Sequence, residues 1–232
     1  MLYVIIPHIV TVNRAGFVMS ITHELPPRTQ LGMRRVPSQK RAQERVERIL
    51  SIATDLIADR GIDGVTMSDV AEQSGVSIGS LYQYFPDKLA IVSSLAERYN
   101  AEGQACVAAE LANVRTSSDL RPALMRIVDG YYDMYLILPA MRAIWQATQA
   151  DPALQAIDAE DCDAHGKMLA ETLSRLDPDG NPIRQNLLAA LLMQLVAAAV
   201  RHAISLEPGE GQASITLFKD MLPKDILRLR LA

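Results

Sequence analysis

Residues 66–88, TMSDVAEQSGVSIGSLYQYFPDK, hold two short helical segments parted by a glycine, and their reading decides the fold. Thr66 stands where an N-cap belongs, with Asp69 three positions on in capping-box spacing, so a short helix is expected over MSDVAEQS, stopping at Gly75. Ser77 can cap a second, IGSLYQYF, which ends before Pro86. Two helices that cross this tightly need a small residue at the crossing, which Ala71 supplies, and a turn residue tolerant of positive φ, which Gly75 supplies. Val70, Val76 and Leu81 are spaced to lock the pair together. A helix-turn-helix of this kind offers the N-terminal side chains of its second helix, Ser77 to Tyr82, to a DNA major groove, with Gly79 and Ser80 small enough for close approach. The hydroxyl and ammonium groups of Thr66, Tyr82, Tyr84 and Lys88 suit phosphate oxygens, while Phe85 is assigned to the core.

Upstream of this pair, Ala42, Val46, Ile49, Leu50, Ala53, Leu56 and Ile57 recur at three- and four-residue steps, the signature of one helix face, with Ser38 as N-cap and Gly61 just past the end. Downstream, Asp87 can cap a fourth helix from Lys88 to Cys106 or beyond. The remainder is helical by period, broken at 116–119, Pro139, 151–152, 177–182 and 207–211. No strand pattern occurs outside the leader, so the expected fold is all-α. The expected domains are a leader or arm over 1–37, a helix-turn-helix head over 38–92, and a larger bundle of five or six helices over 93–232. Residues 1–12, MLYVIIPHIVTV, lack the basic region and cleavage site of a signal peptide. Residues 13–37 read as a flexible arm, and Met19 and Met33 are candidates for the natural start.

Composition bounds the function. The chain has 232 residues, 49% apolar and 22% charged, enough to build a core and unlike disordered or collagen-like sequence. Two cysteines, Cys106 and Cys162, make neither a disulfide framework nor a C-x-x-C pair, which points to a reducing, cytoplasmic setting. The longest apolar run outside the leader, 187–200, falls short of the roughly 20 residues of a membrane span, so no membrane partner is expected. A net charge of −4 argues against nucleic acid only until it is divided along the chain. Residues 1–100 carry eleven basic and ten acidic side chains, and residues 101–232 twelve and seventeen. The basic ones crowd into 28–48: Arg28, Arg34, Arg35, Lys40, Arg41, Arg45 and Arg48 against Glu44 and Glu47. Arg34 and Arg35 are candidates for a minor-groove or backbone contact, and Arg41, Arg45 and Arg48 either join them or form a solvated face with Glu44 and Glu47.

The run GVSIGSLYQYFPDK, together with the helix RVERILSIATDLIADRGIDGVTMSDVA before it, resembles the tetracycline-repressor (TetR) family of transcriptional regulators over residues 40–92. The resemblance implies that Ser68, Ile78, Gly79, Ser80 and Tyr82 lie at the major groove and that Thr66, Tyr82, Tyr84 and Lys88 hold the phosphate backbone. It implies a homodimer whose last two long helices form a four-helix interface, a double-stranded operator with half-sites one turn apart, and release from that operator by a small effector. One departure stands out: Ile78 cannot make bidentate base contacts, so base reading is expected to lean on Ser68, on methyl contacts, on the basic arm and on DNA shape.

In the C-terminal region, Met125, Tyr131, Tyr132, Met134, Tyr135, Met141 and Trp145 surround the break at Pro139 and suit either core packing or the wall of a pocket for an apolar or aromatic effector. Tyr132, Tyr135, Trp145 and His165 are the candidates for that pocket. The helix over 183–206 is apolar on nearly every face and needs cover on all sides, which self-association would provide. Two competing chemistries are weighed and set aside. GVSIG, residues 75–79, matches the G-x-S-x-G nucleophile elbow of serine hydrolases with Ser77 at its centre, but a helical, polar stretch precedes it where a buried strand is required. Asp158, Glu160, Asp161, Cys162, Asp163 and His165 offer metal donors, yet donors that ring a helix do not converge, so they read as a solvated acidic face. No cofactor, metal or catalytic residue is expected, and a helical adaptor is the remaining alternative to a DNA-binding regulator.

Overall fold

The computed structural model describes residues 10–12, 18–20 and 40–228. Among the described residues the chain is helical apart from one short ladder: β1 (Val10–Val12) pairs antiparallel with β2 (Val18–Ser20), Thr11 opposite Met19. Val18–Ser20 falls in the segment 13–37 expected to be a flexible arm and departs from that expectation, while Val10–Val12 lies in the leader. Arg28, Arg34, Arg35 and the cap Ser38 lie outside the described residues.

The helices are α1 (Lys40–Arg60), α2 (Met67–Ser74), α3 (Ile78–Tyr84), α4 (Lys88–Ala112), α5 (Ser117–Ile137), α6 (Pro139–Thr148), α7 (Pro152–Leu176), α8 (Pro182–Ile204) and α9 (Pro208–Met221). Their ends follow local chemistry. Proline opens α6, α7, α8 and α9, where its missing N–H costs nothing. Gly61 (φ 69°) and Gly75 (φ 66°) supply the left-handed residues that close α1 and α2.

Two compact units emerge, each with its own core. One joins residues 40–101 with 138–158. Here Val46, Ile49, Leu50, Ala53, Leu56 and Ile57 form the buried face of α1, which packs on α2 and α6. Val70, Ala71, Leu81 and Phe85 close the core beneath α2 and α3, each fully buried aliphatic or aromatic side chain contributing about 1.5–3 kcal/mol. A buried ion pair ties α1 to α4: Arg98 Nη2 donates to both Glu47 oxygens, at 2.9 and 2.8 Å.

The other unit joins residues 102–137 with 159–228. Leu120, Leu124, Ile127 and Val128 of α5 meet Ala189, Leu192, Val196 and Val200 of α8 in its core, and α9 packs on both helices. Lys219 pairs with Asp129 at 2.7 Å, and Arg121 donates to the carbonyls of Lys219 and Leu222. By length and composition α8 could also cross a membrane, although its apolar residues divide between two faces. Leu192, Met193, Val196 and Val200 are buried, while Ile183, Leu187, Leu191 and Leu195 form an exposed stripe at four-residue spacing, 44–70% accessible.

Candidate nucleic-acid interface

The α2–α3 pair is defined by its caps. Thr66, in extended backbone, accepts from the Asp69 amide at 3.2 Å, while Asp69 accepts from the Thr66 amide and hydroxyl at 2.9 and 2.6 Å. The Thr66 hydroxyl first, then its amide, holds the Asp69 carboxyl below the usual carboxylate range. The Gly75 and Val76 amides then cap the far end on carbonyls of α2, and Ser77 starts α3 by accepting from the Ser80 amide at 3.2 Å. The Ser77 hydroxyl donates in turn to Ser80 Oγ at 2.9 Å. Because α2 leads into GVSIG, the strand-to-helix turn of a nucleophile elbow is not what surrounds Ser77.

Placed on this frame, the sequence-derived residues divide. Ser68, Ser77, Ile78, Gly79 and Tyr82 are exposed, Ile78 and Tyr82 by 42 and 43%, and Ser80 is half-buried. Thr66 is exposed, with its hydroxyl engaged in the capping box. Two residues depart from expectation. Tyr84, expected on the phosphate-facing surface, is only 7% accessible, because it follows Leu81 by three positions and so shares the buried side of α3. Lys88, expected to hold phosphate, points its ammonium inward and donates to the Ile62 and Val65 carbonyls at 2.7 and 3.0 Å, closing the α1–α2 connection. Lys88→Met therefore costs the fold about 2–3 kcal/mol, read as a lowered denaturation midpoint. A loss below about 0.5 kcal/mol would show that water replaces both bonds.

Arg41 and Arg48 are exposed and Arg45 half-buried on α1. Glu47, expected beside them as a partner on a solvated face, is instead held by Arg98 of α4. Gln83 was missed by the sequence reading: it is exposed on α3 beside Tyr82, and its position four residues after Gly79 was the available signal.

The effector candidates do not gather in one unit. Tyr132, Tyr135 and His165 belong to the unit of 102–137 and 159–228, and Trp145 on α6 to the other. Tyr132 is buried with its hydroxyl toward the Pro208 carbonyl at 3.4 Å. Tyr135 and Trp145 are half-buried. His165 is buried in a polar chain: its Nδ1 lies 3.3 Å from Asp161 Oδ2, its Nε2 lies 2.7 Å from the Tyr131 hydroxyl, and Gln104 donates to Asp161 Oδ1 at 2.7 Å. An ionised Asp161 only accepts, so in a neutral ring Nδ1 carries the proton and Tyr131 donates to Nε2. Burial, with Asp161 adding to it, pushes the Tyr131 phenol well above its ordinary range. Gly103 makes room for this chain, since a Cβ there would stand 2.9 Å from the Tyr131 hydroxyl. Of the acidic run on α7, Glu160 and Asp163 are exposed as expected, but Asp161 turns inward to His165 because the two are one helical turn apart.

A cleft of about 610 Å³ opens in the unit of 40–101 and 138–158, between Arg60, Ile62, Lys88 and Val92 on one side and Ala147 and Leu154 on the other. None of the four effector candidates lines it.

Two family profiles match the chain: "Bacterial regulatory proteins, tetR family" over residues 49–95, and "Tetracyclin repressor-like, C-terminal domain" over residues 118–229. The chain is 28% identical over 141 residues to the HTH-type transcriptional repressor KstR of Mycolicibacterium smegmatis, covering 60% of this chain and 66% of that one. Across the first curated relatives it matches, the shared stretch spans 30–42% of their length. In fold it is similar to a TetR-family regulator from Pectobacterium atrosepticum (TM-score 0.62, 18% identity, 80% of this chain and 94% of that one). It is also similar to FadR of Bacillus subtilis in complex with stearoyl-CoA (TM-score 0.59, 16% identity, 76% and 98%).

Proposed function

Because this chain belongs to the tetR family of bacterial regulatory proteins, we propose that it is a sequence-specific DNA-binding transcriptional regulator, a homodimeric repressor released from a palindromic operator by a small effector. The observation that carries this reading is the α3 surface: a helix locked from behind by Leu81 and Phe85, started by Ser77, and exposing Ile78, Gly79 and Tyr82 on its outer side. A short rigid helix with small and apolar outer residues fits a major groove. Ser68 on α2 and Arg41 and Arg48 on α1 are exposed in the same compact unit; Ser68 is given to the groove, and the phosphate contacts fall to Arg41, Arg48 and Tyr82, since both Thr66 donors are taken by Asp69.

The head comprises residues 38–92, and residues 93–232 provide effector binding and dimerisation. The exposed stripe of α8, continued by Leu217 and Met221 of α9 at 66 and 78%, supports a second copy as its cover. A twofold pairing of α8 and α9 would make a four-helix interface and give the operator two reading heads. The effector is apolar or aromatic; the FadR neighbour is solved with stearoyl-CoA, whose stearoyl chain is apolar while its coenzyme A part is highly charged. Tyr132, Tyr135 and His165, which share one unit, are the residues proposed for it, and Trp145, in the other unit, is not among them. The working compartment is the cytoplasm, where the DNA is.

Electrophoretic mobility shift with DNA flanking its own coding sequence tests the reading. The expected result is a sequence-selective complex at moderate salt that weakens as salt rises. Equal binding to unrelated DNA at every salt concentration would overturn it.

A further inference from the structure

We infer that Gln83 reads an adenine in each operator half-site, with Ile78 against a neighbouring thymine methyl, so that the base-specific core of the site is an A·T step. This rests on the proposed DNA-binding function and deepens it. At about 100° per residue, the buried residues Leu81, Tyr84 and Phe85 fix the inner side of α3, and the direction opposite them is occupied by Gly79 and Gln83. These two are the outermost positions of the helix. Ile78 and Tyr82 flank them on one side and Ser80 on the other.

Long helical side chains lean toward the helix N-terminus, over the residue one turn back. For Gln83 that residue is Gly79, where a Cβ would meet nothing within 4 Å. The Gln83 carboxamide therefore has an open path over bare backbone, and the backbone itself can come close to the groove floor.

Two of the neighbouring polar groups, Ser77 and Thr66, are already committed, whereas Ser80 keeps its own hydroxyl proton. Ser77 accepts from the Ser80 amide and donates to the Ser80 hydroxyl, and Thr66 is engaged by Asp69. Gln83 makes no hydrogen bond among the described residues and carries both a donor and an acceptor in one plane. Adenine presents an N6 donor beside the N7 acceptor in the major groove, the one base edge that this pair matches in bidentate fashion. Ile78, 42% exposed and without polar atoms, has only apolar contacts to offer there, and the C5-methyl of thymine is the apolar group on the groove floor.

The test is selection by the full-length protein from a double-stranded oligonucleotide pool with a randomised core, followed by affinity measurement on the selected site. The wild type is expected to enrich an inverted repeat with a fixed adenine in each half. Replacing that A·T pair by G·C should weaken binding on the order of ten- to a hundred-fold. In Gln83→Ala, an exposed change with unaltered melting, preference at that position should collapse to within about threefold while the other positions keep theirs. Removing the adenine N7 by 7-deazaadenine should weaken the wild type and leave Gln83→Ala unaffected. Gln83→Glu, which can only accept, should shift the preferred base toward cytosine. A wild type that enriches a defined site while Gln83→Ala retains every preference would overturn this inference and leave the regulator reading standing. A wild type that enriches no sequence would overturn both.

Discussion

Leu187→Asp combined with Leu191→Asp yields a monomer that retains its helical content and loses operator binding. Both leucines lie 58% exposed on the outer stripe of α8. In a twofold interface each residue is used twice, so the double variant removes four leucines from the proposed contact. At about 1.5–3 kcal/mol per buried leucine, the loss is comparable to the whole free energy of a nanomolar dimer, about 12 kcal/mol. Burying four carboxylates in their place adds a desolvation cost. A single head then engages a single half-site, and operator affinity falls by on the order of a hundred- to ten-thousand-fold as bivalency disappears. Sedimentation velocity reads the first effect and mobility shift the second. A variant that sediments as the wild type does would show that this stripe is not where two copies meet. Because the substituted positions are already accessible in the single chain, far-ultraviolet circular dichroism should be unchanged.

Arg98→Ala destabilises the unit of 40–101 and 138–158 by about 3–5 kcal/mol, a large share of the 5–15 kcal/mol typical of a domain. Arg98 and Glu47 side chains are 8 and 18% accessible, so the guanidinium that both carboxylate oxygens contact is removed from a site with little water to replace it. The paired replacement Arg98→Met with Glu47→Leu should recover most of the loss, since apolar side chains of similar size remove the desolvation cost together with the attraction. Urea denaturation of the wild type, the single variant and the double variant distinguishes these outcomes. Equal losses in both variants would mean that the pair contributes through packing rather than charge.

The head was legible because its determinants are local. Thr66 with Asp69, Gly75 and Ser77 act within three or four residues of themselves, and their cap geometry is what the spacing implies. The prolines that open α6 to α9 mark boundaries for the same reason. What escaped the sequence were roles set by distant partners. Lys88 meets carbonyls 26 and 23 positions upstream, and Glu47 meets an arginine 51 positions downstream, so neither partner is visible from the neighbouring letters. Tyr84 is a different case, since counting three from Leu81 places it on the inner face, and its hydroxyl drew the reading outward. Gln83 carries no local cap or turn signal, and its outward place follows only from its four-residue spacing from Gly79 on the face opposite Leu81 and Phe85. His165 was singled out for the right polarity, while the chain through Tyr131, Asp161 and Gln104 depends on three helices meeting.

Anyone seeking to toughen this protein would begin by exchanging helix-interior glycines for alanine, a change ordinarily worth up to about 1 kcal/mol. At Gly103 the same exchange would act in reverse. The missing methyl is the space into which the Tyr131 oxygen settles, so an added carbon must displace either the phenol or the helix that carries position 103. The phenol would move away from His165, and the proton arrangement that Asp161 imposes on the imidazole would lose its terminal donor. A single hydrogen atom on α4 is thus the dimensional tolerance to which the polar interior of this bundle is machined.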